Sequence, residues 1–113
     1  MKSKVVWTDQ VEAYVKSKAP EPRTELWRAI KGLAAWNGKS DPPRIRHLED
    51  DLAGYARLRV DRHRVIFREG FEQGVRTINC LFAGPRVTVY EAFAEILLDE
   101  LAELEDAPDE GAA

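Results

Sequence analysis

Between Gly54 and Tyr90 the chain reads GYARLRVDRHRVIFREGFEQGVRTINCLFAGPRVTVY, and it carries Arg57, Arg59, Arg62, Arg64, Arg68, Arg76 and Arg86. A guanidinium is charged at every physiological pH, and its planar fork of donors grips phosphate oxygens two at a time. Cations at this density point to a surface built for nucleic acid or for an acidic protein partner. Tyr90 closes the stretch with a phenol, a group that can stack on a base or give up a proton.

Such side chains converge only if the backbone presents them on one face. From Tyr55 to Val60 the residues alternate: Ala56, Leu58 and Val60 on one side, and Tyr55, Arg57 and Arg59 on the other. That pattern predicts a strand with one face packed and the other left charged. A second strand is expected from about His63 to Arg68, after a tight turn at Asp61 and Arg62. Gly70 to Gly74 reads as a loop, and a third strand follows from about Val75 to Phe82, stopped by Gly84 and Pro85. The last helix is expected from near Thr88 to about Glu105, with Val89, Phe93, Ile96, Leu97, Leu101 and Leu104 as its apolar stripe.

Upstream, KSKVVW reads as a short strand. Thr8 is suited to cap a helix reaching about Lys18. Pro20 and Pro22 break that helix and start another that runs to about Trp36. NGKSDPP is a loop by composition, and the polar segment Arg44–Asp51 gives no clear periodicity. The expected fold is α+β, in the order β-α-α-β-β-β-α. It has a four-stranded, mainly antiparallel sheet, two N-terminal helices on one face and a C-terminal helix.

The chain has 113 residues and a net charge of −3. That length suits one core, expected over residues 1–105, followed by an acidic, flexible tail over 106–113. All 17 Lys and Arg precede residue 91, together with 11 acids, which leaves that part at +6. Residues 91–113 add nine acids and no base. No apolar run is long enough to cross a membrane, and the start MKSKVVWTDQ lacks the core of a secretory signal, so a cytoplasmic address is expected. Cys80 is the lone cysteine and reads as a small buried hydrophobe. With two histidines, the chain offers no metal-ligand spacing, and no metal or cofactor is expected.

Taken together, Leu48, Leu52, Gly54, Tyr55, Leu58, Arg59, Val60, Arg64, Val65, Ile66 and Phe67, then Arg86 and Tyr90, form a pattern. It resembles that of the RelE/ParE superfamily of bacterial type II toxins, over about residues 3–95. The resemblance implies a toxin held by a cognate antitoxin. In the RelE branch it implies a metal-independent endoribonuclease that cuts mRNA on the ribosome and inhibits translation. In the ParE branch it implies a non-enzymatic inhibitor of DNA gyrase. Carried over, the RelE-like pattern makes Arg64, Arg86, Tyr90 and Arg59 the catalytic candidates. It makes Arg57, Arg59 and Arg62 the RNA- and phosphate-binding ones. The chain departs from the pattern where Pro85 and Val89 stand in places that many relatives give to histidine, and where DPPRIRH lacks a glutamate.

Cleavage by a 2′-hydroxyl needs a base, cations for the phosphorane and an acid for the leaving oxygen. The arginines supply the cations, Tyr90 could supply the acid, and no residue stands out as the base. Each arginine also has a plainer reading as a solvated charge, or, for Arg64, as half of an ion pair with Glu69 or Asp61. His63 reads as a packing residue. The acidic end reads as a solvated helix face, as a cover over the arginines, or as a means of self-association, which leaves a homodimer open.

Overall fold

A computed structural model describes residues 3–106, with side-chain surroundings through Asp99. The expected tail, from residue 107 on, lies outside the described residues. The elements are β1 Lys4–Trp7, α1 Asp9–Lys16, α2 Pro20–Gly32, β2 Ile45–His47, β3 Ala56–Val60, β4 His63–Glu72, β5 Val75–Pro85 and α3 Val89–Asp106. Short 3₁₀ turns cover Leu33–Ala35 and Asp50–Leu52. No described helix is long and apolar enough to cross a membrane.

The α+β class holds, but the expected four-stranded sheet is corrected to five strands, in the order β1-β5-β4-β3-β2. The added strand is β2, which lies inside the polar segment that lacked periodicity. It is three residues long and sits at the sheet edge, so only Ile45 is buried and the alternation never repeats. Its register on β3 is nonetheless definite: Ile45 faces Leu58, Arg46 faces Arg57 and His47 faces Ala56. At the opposite edge β1 pairs in parallel with β5, whereas the other three pairings are antiparallel.

Local chemistry explains most boundaries. The Thr8 hydroxyl accepts from the Val11 amide and donates to the Leu81 carbonyl, so it caps α1 and ties it to β5. Pro20 begins α2, where its missing N–H costs nothing. The expected loop at Gly70–Gly74 shrinks to a turn at Gln73 and Gly74, with φ of +52° and +81°. Two consecutive positive φ values match the twist of a tight hairpin, and so β4 runs on to Glu72.

The sheet is packed on both faces. Against α1 and α2 lie Leu58, Val65, Phe67, Ile78 and Cys80, with Val11, Val15, Leu26 and Ile30 from the helices. The other face carries a smaller cluster of Ile66, Val89 and Phe93, joined by Leu48, Tyr55, Phe82 and Leu97. A bulge opposite Ile66 and Phe67 skips Leu81, which lets Leu81 and Phe82 both serve that second face. Thus α3 covers part of the arginine face and leaves the end near β2 and the β3–β4 turn uncovered.

Candidate functional site

The uncovered end is a depression of about 500 Å³ lined by Arg46, Leu48, Arg57, Arg64, Arg86, Val87 and Tyr90. Register accounts for the convergence. Arg46 is paired with Arg57 across β2–β3, and Arg64 stands opposite Arg59 across β3–β4, so these side chains share a face. Arg86 follows β5 and is fixed by its amide, which donates to the Arg62 carbonyl at 2.9 Å. Tyr90 enters from the first turn of α3, next to buried Val89.

Arg64 is held in place by its backbone surroundings. Its Nη1 donates to the carbonyls of Asp61 and His63, both at 2.9 Å. Asp61 takes a left-handed φ of +53°, a conformation that aspartate tolerates better than most residues. The carboxylates weighed as partners do not pair with Arg64: Glu69 pairs with Arg76 instead. Among the described residues no carboxylate forms an ion pair with Arg46, Arg57, Arg59, Arg64 or Arg86.

Arg57 lies deepest. Its Nη1 is buried and has no hydrogen-bond partner. Burial holds its guanidinium below the usual arginine range, and the nearby charges of Arg64, Arg46 and Arg59 push the same way, against the opposing effect of Tyr90. An arginine still keeps its proton under these conditions. The depression is therefore a cluster of like charges whose repulsion a phosphate would relieve, with at least one donor unused.

Of the candidates, Arg57, Arg64, Arg86 and Tyr90 meet in this depression. Arg59 is exposed and sits beside Arg64 outside the lining. Arg62 belongs to an adjacent hollow formed with Asp61, Pro85, Arg86 and Val87. Arg68 lies over the Tyr55 ring, 5.5 Å from its centroid. Arg76 is on the other face, bound to Glu69 and Ser3 and stacked on Trp36 at 5.6 Å. His63 also faces the helices, and its Nδ1 lies 2.7 Å from the Tyr14 hydroxyl. Sequence reasoning missed Arg46 and Val87. The signal for Arg46 was R-I-R around a lone buried Ile45, an alternation too short to stand out. The lining contains no Asp, Glu or His, and no cluster of metal-ligand type occurs among the described residues.

No protein-family model matches the sequence, and no curated protein matches it. Solved structures do match in shape. A chain of the RelBE2 toxin-antitoxin complex from Mycobacterium tuberculosis is 17% identical with a TM-score of 0.60, over 76% of this chain and 100% of that one. The YoeB/ParE toxin from Agrobacterium tumefaciens is 18% identical with a TM-score of 0.57, over 74% of this chain and 98% of that one. A chain of the archaeal RelE–RelB complex from Pyrococcus horikoshii is 22% identical with a TM-score of 0.57, over 76% and 97% respectively. The likeness at these identities is one of fold, and this chain has the RelE/ParE fold.

Proposed function

We propose that this chain, with its RelE/ParE fold, is the toxin of a type II toxin-antitoxin system. In this reading residues 1–105 form the toxin domain. It acts in the cytoplasm as a RelE-like, metal-independent endoribonuclease on mRNA in the ribosome, and a cognate antitoxin holds it in check. The observation that carries the reading is the convergence of Arg46, Arg57, Arg64 and Arg86 with Tyr90 in one open depression. Three or more guanidinium groups around a phosphodiester stabilise the charge that gathers on its oxygens as the 2′-oxygen attacks. The Tyr90 phenol, at the edge of the same depression, is the group suited to protonate the leaving 5′-oxygen or to stack on the base beside it. With no carboxylate or imidazole in the lining, the chain contributes charge and positioning. Proton removal from the 2′-hydroxyl then falls to water or to the ribosome.

That same lining supports a second reading, in which the depression only binds. The chain would then be a ParE-like gyrase inhibitor or an inactive toxin-fold binding protein. Induced expression followed by primer extension on cellular mRNAs separates the readings. Cuts within translated codons, lost in Arg86→Ala and Arg64→Ala variants that keep their circular dichroism, are expected of the nuclease. Intact mRNA with DNA damage would point to gyrase, and intact mRNA and DNA to the inactive form.

A further inference from the structure

We infer that the outward stripe of α3 is a docking surface for the arginine depression of a second copy of this chain, so that each α3 covers its partner's depression. The inference rests only on that depression being an anion site, not on what it does to RNA.

Helical spacing puts Glu91, Glu95, Leu98 and Asp99 on one stripe, opposite the buried Val89 and Phe93. All four stripe residues are exposed, and Leu98 is 64% accessible in the midst of the acids. The depression offers the complement. Its rim bears Val87, 79% accessible, among Arg46 and Arg86, which are also exposed. An apolar knob among acids thus faces an apolar knob among cations, the arrangement that fixes register as well as attraction.

Three points favour a second copy as the occupant. The chain carries both halves of the charge complement, with an excess of six positive charges before residue 91 and nine negative charges after it. Among the described residues of one chain, the stripe acids Glu91, Glu95 and Asp99 form no ion pair with the arginines of the depression. The stripe faces away from the sheet, and a helix rising 1.5 Å per residue carries Asp99 about 14 Å past Tyr90. Simple pairing of two α3 stripes would set acid on acid. Depression and stripe lie side by side, so a two-fold axis can exchange them and close the assembly at two copies.

Sedimentation velocity on the full chain tests this. A dimer is expected at low salt, with its dissociation constant rising at least tenfold between about 50 mM and 500 mM NaCl. Glu95→Lys with Asp99→Lys, and separately Arg46→Glu with Arg86→Glu, should each give monomers with unchanged circular dichroism. Mixing the two variants should restore a dimer, because one contact is then native and the other charge-reversed. A chain that stays monomeric at about 100 µM and low salt overturns the inference. So does a dimer indifferent to both variants, a mixture that stays monomeric, or a stripe that captures a Lys-rich peptide while the chain remains monomeric. The readout is mass, so a monomer that cleaves mRNA sinks this inference alone, whereas a native dimer whose monomeric Glu95→Lys/Asp99→Lys variant, with the depression open, cleaves no mRNA sinks the proposed function alone.

Discussion

The Arg57 guanidinium gives up water at one nitrogen and receives no acceptor in return. A buried donor left unmet costs about 1–3 kcal/mol, and neighbouring like charges add to that. Replacing Arg57 with methionine should therefore raise stability by about 1 kcal/mol in urea unfolding while RNA affinity falls about tenfold or more. A variant that loses both would make Arg57 a structural residue. His63 makes a second residue-scale case. Burial lowers its pKa first, and Lys18, Arg62 and Arg64 push the same way against Asp61. Above the ordinary value of 6.5 both folded and unfolded chains hold it neutral, and nothing is at stake. As pH falls below 6.5 the unfolded chain takes up the proton first, so stability should drop from there towards the folded pKa and then level off. Urea midpoints at several pH values, compared with a His63→Asn variant in which that step is flattened, check this.

At the scale of elements, the loop after α2 depends on Gly38. Its φ is +82°, and a Cβ there would meet Glu69 Oε2 at 2.6 Å. Glu69 holds Arg76, and Arg76 stacks on Trp36, so the contact has no slack. Gly38→Ala should cost about 2 kcal/mol, read as a lower urea midpoint at unchanged m-value, with Gly32→Ala as the tolerated control because nothing lies within 4 Å of its added Cβ. The elements that the sequence made legible are those with repeated periodicity: Thr8 with α1, Ala56–Val60 as β3, and the stripe of α3. What escaped was too short or too polar to repeat. β2 buries one side chain, and the last residues of β4 carry Glu69, Gly70 and Glu72 where apolar residues would have marked a strand. The site followed the same rule. Arg57, Arg64, Arg86 and Tyr90 rode on readable elements, whereas Arg46 came with the unread β2. Arg76 was separable from them only by knowing which way its strand alternates.

For the whole molecule, charge is distributed along the chain as much as over a surface. Residues 100–113 hold six acids and no base. Removing them takes the net charge from −3 to the opposite sign while sparing every apolar contact described for α3, which reach Leu97. The shortened chain should lose only the helical signal of residues 100–106, keep its urea midpoint, and bind a cation exchanger at neutral pH. Its affinity for a short RNA should rise about threefold to tenfold at low salt, with the gain fading as salt increases. Equal affinities would show that the distal acids exert no field at the depression.

The parallel seating of β1 on β5 sets the order in which this molecule can come into being. Lys4 lies against Thr77, the Thr8 hydroxyl reaches Leu81, and Gln10 exchanges two 2.7 Å bonds with Ala83, spans of 73 residues. Contacts across such spans form more slowly than local ones, and none can close before β5 has been synthesised. Arg86 and Tyr90 follow at once, so the nascent chain has no complete cationic depression until residues through Tyr90 have left the ribosome. A polypeptide interrupted anywhere before that point lacks the strand that brings Arg86 and Tyr90 to the depression.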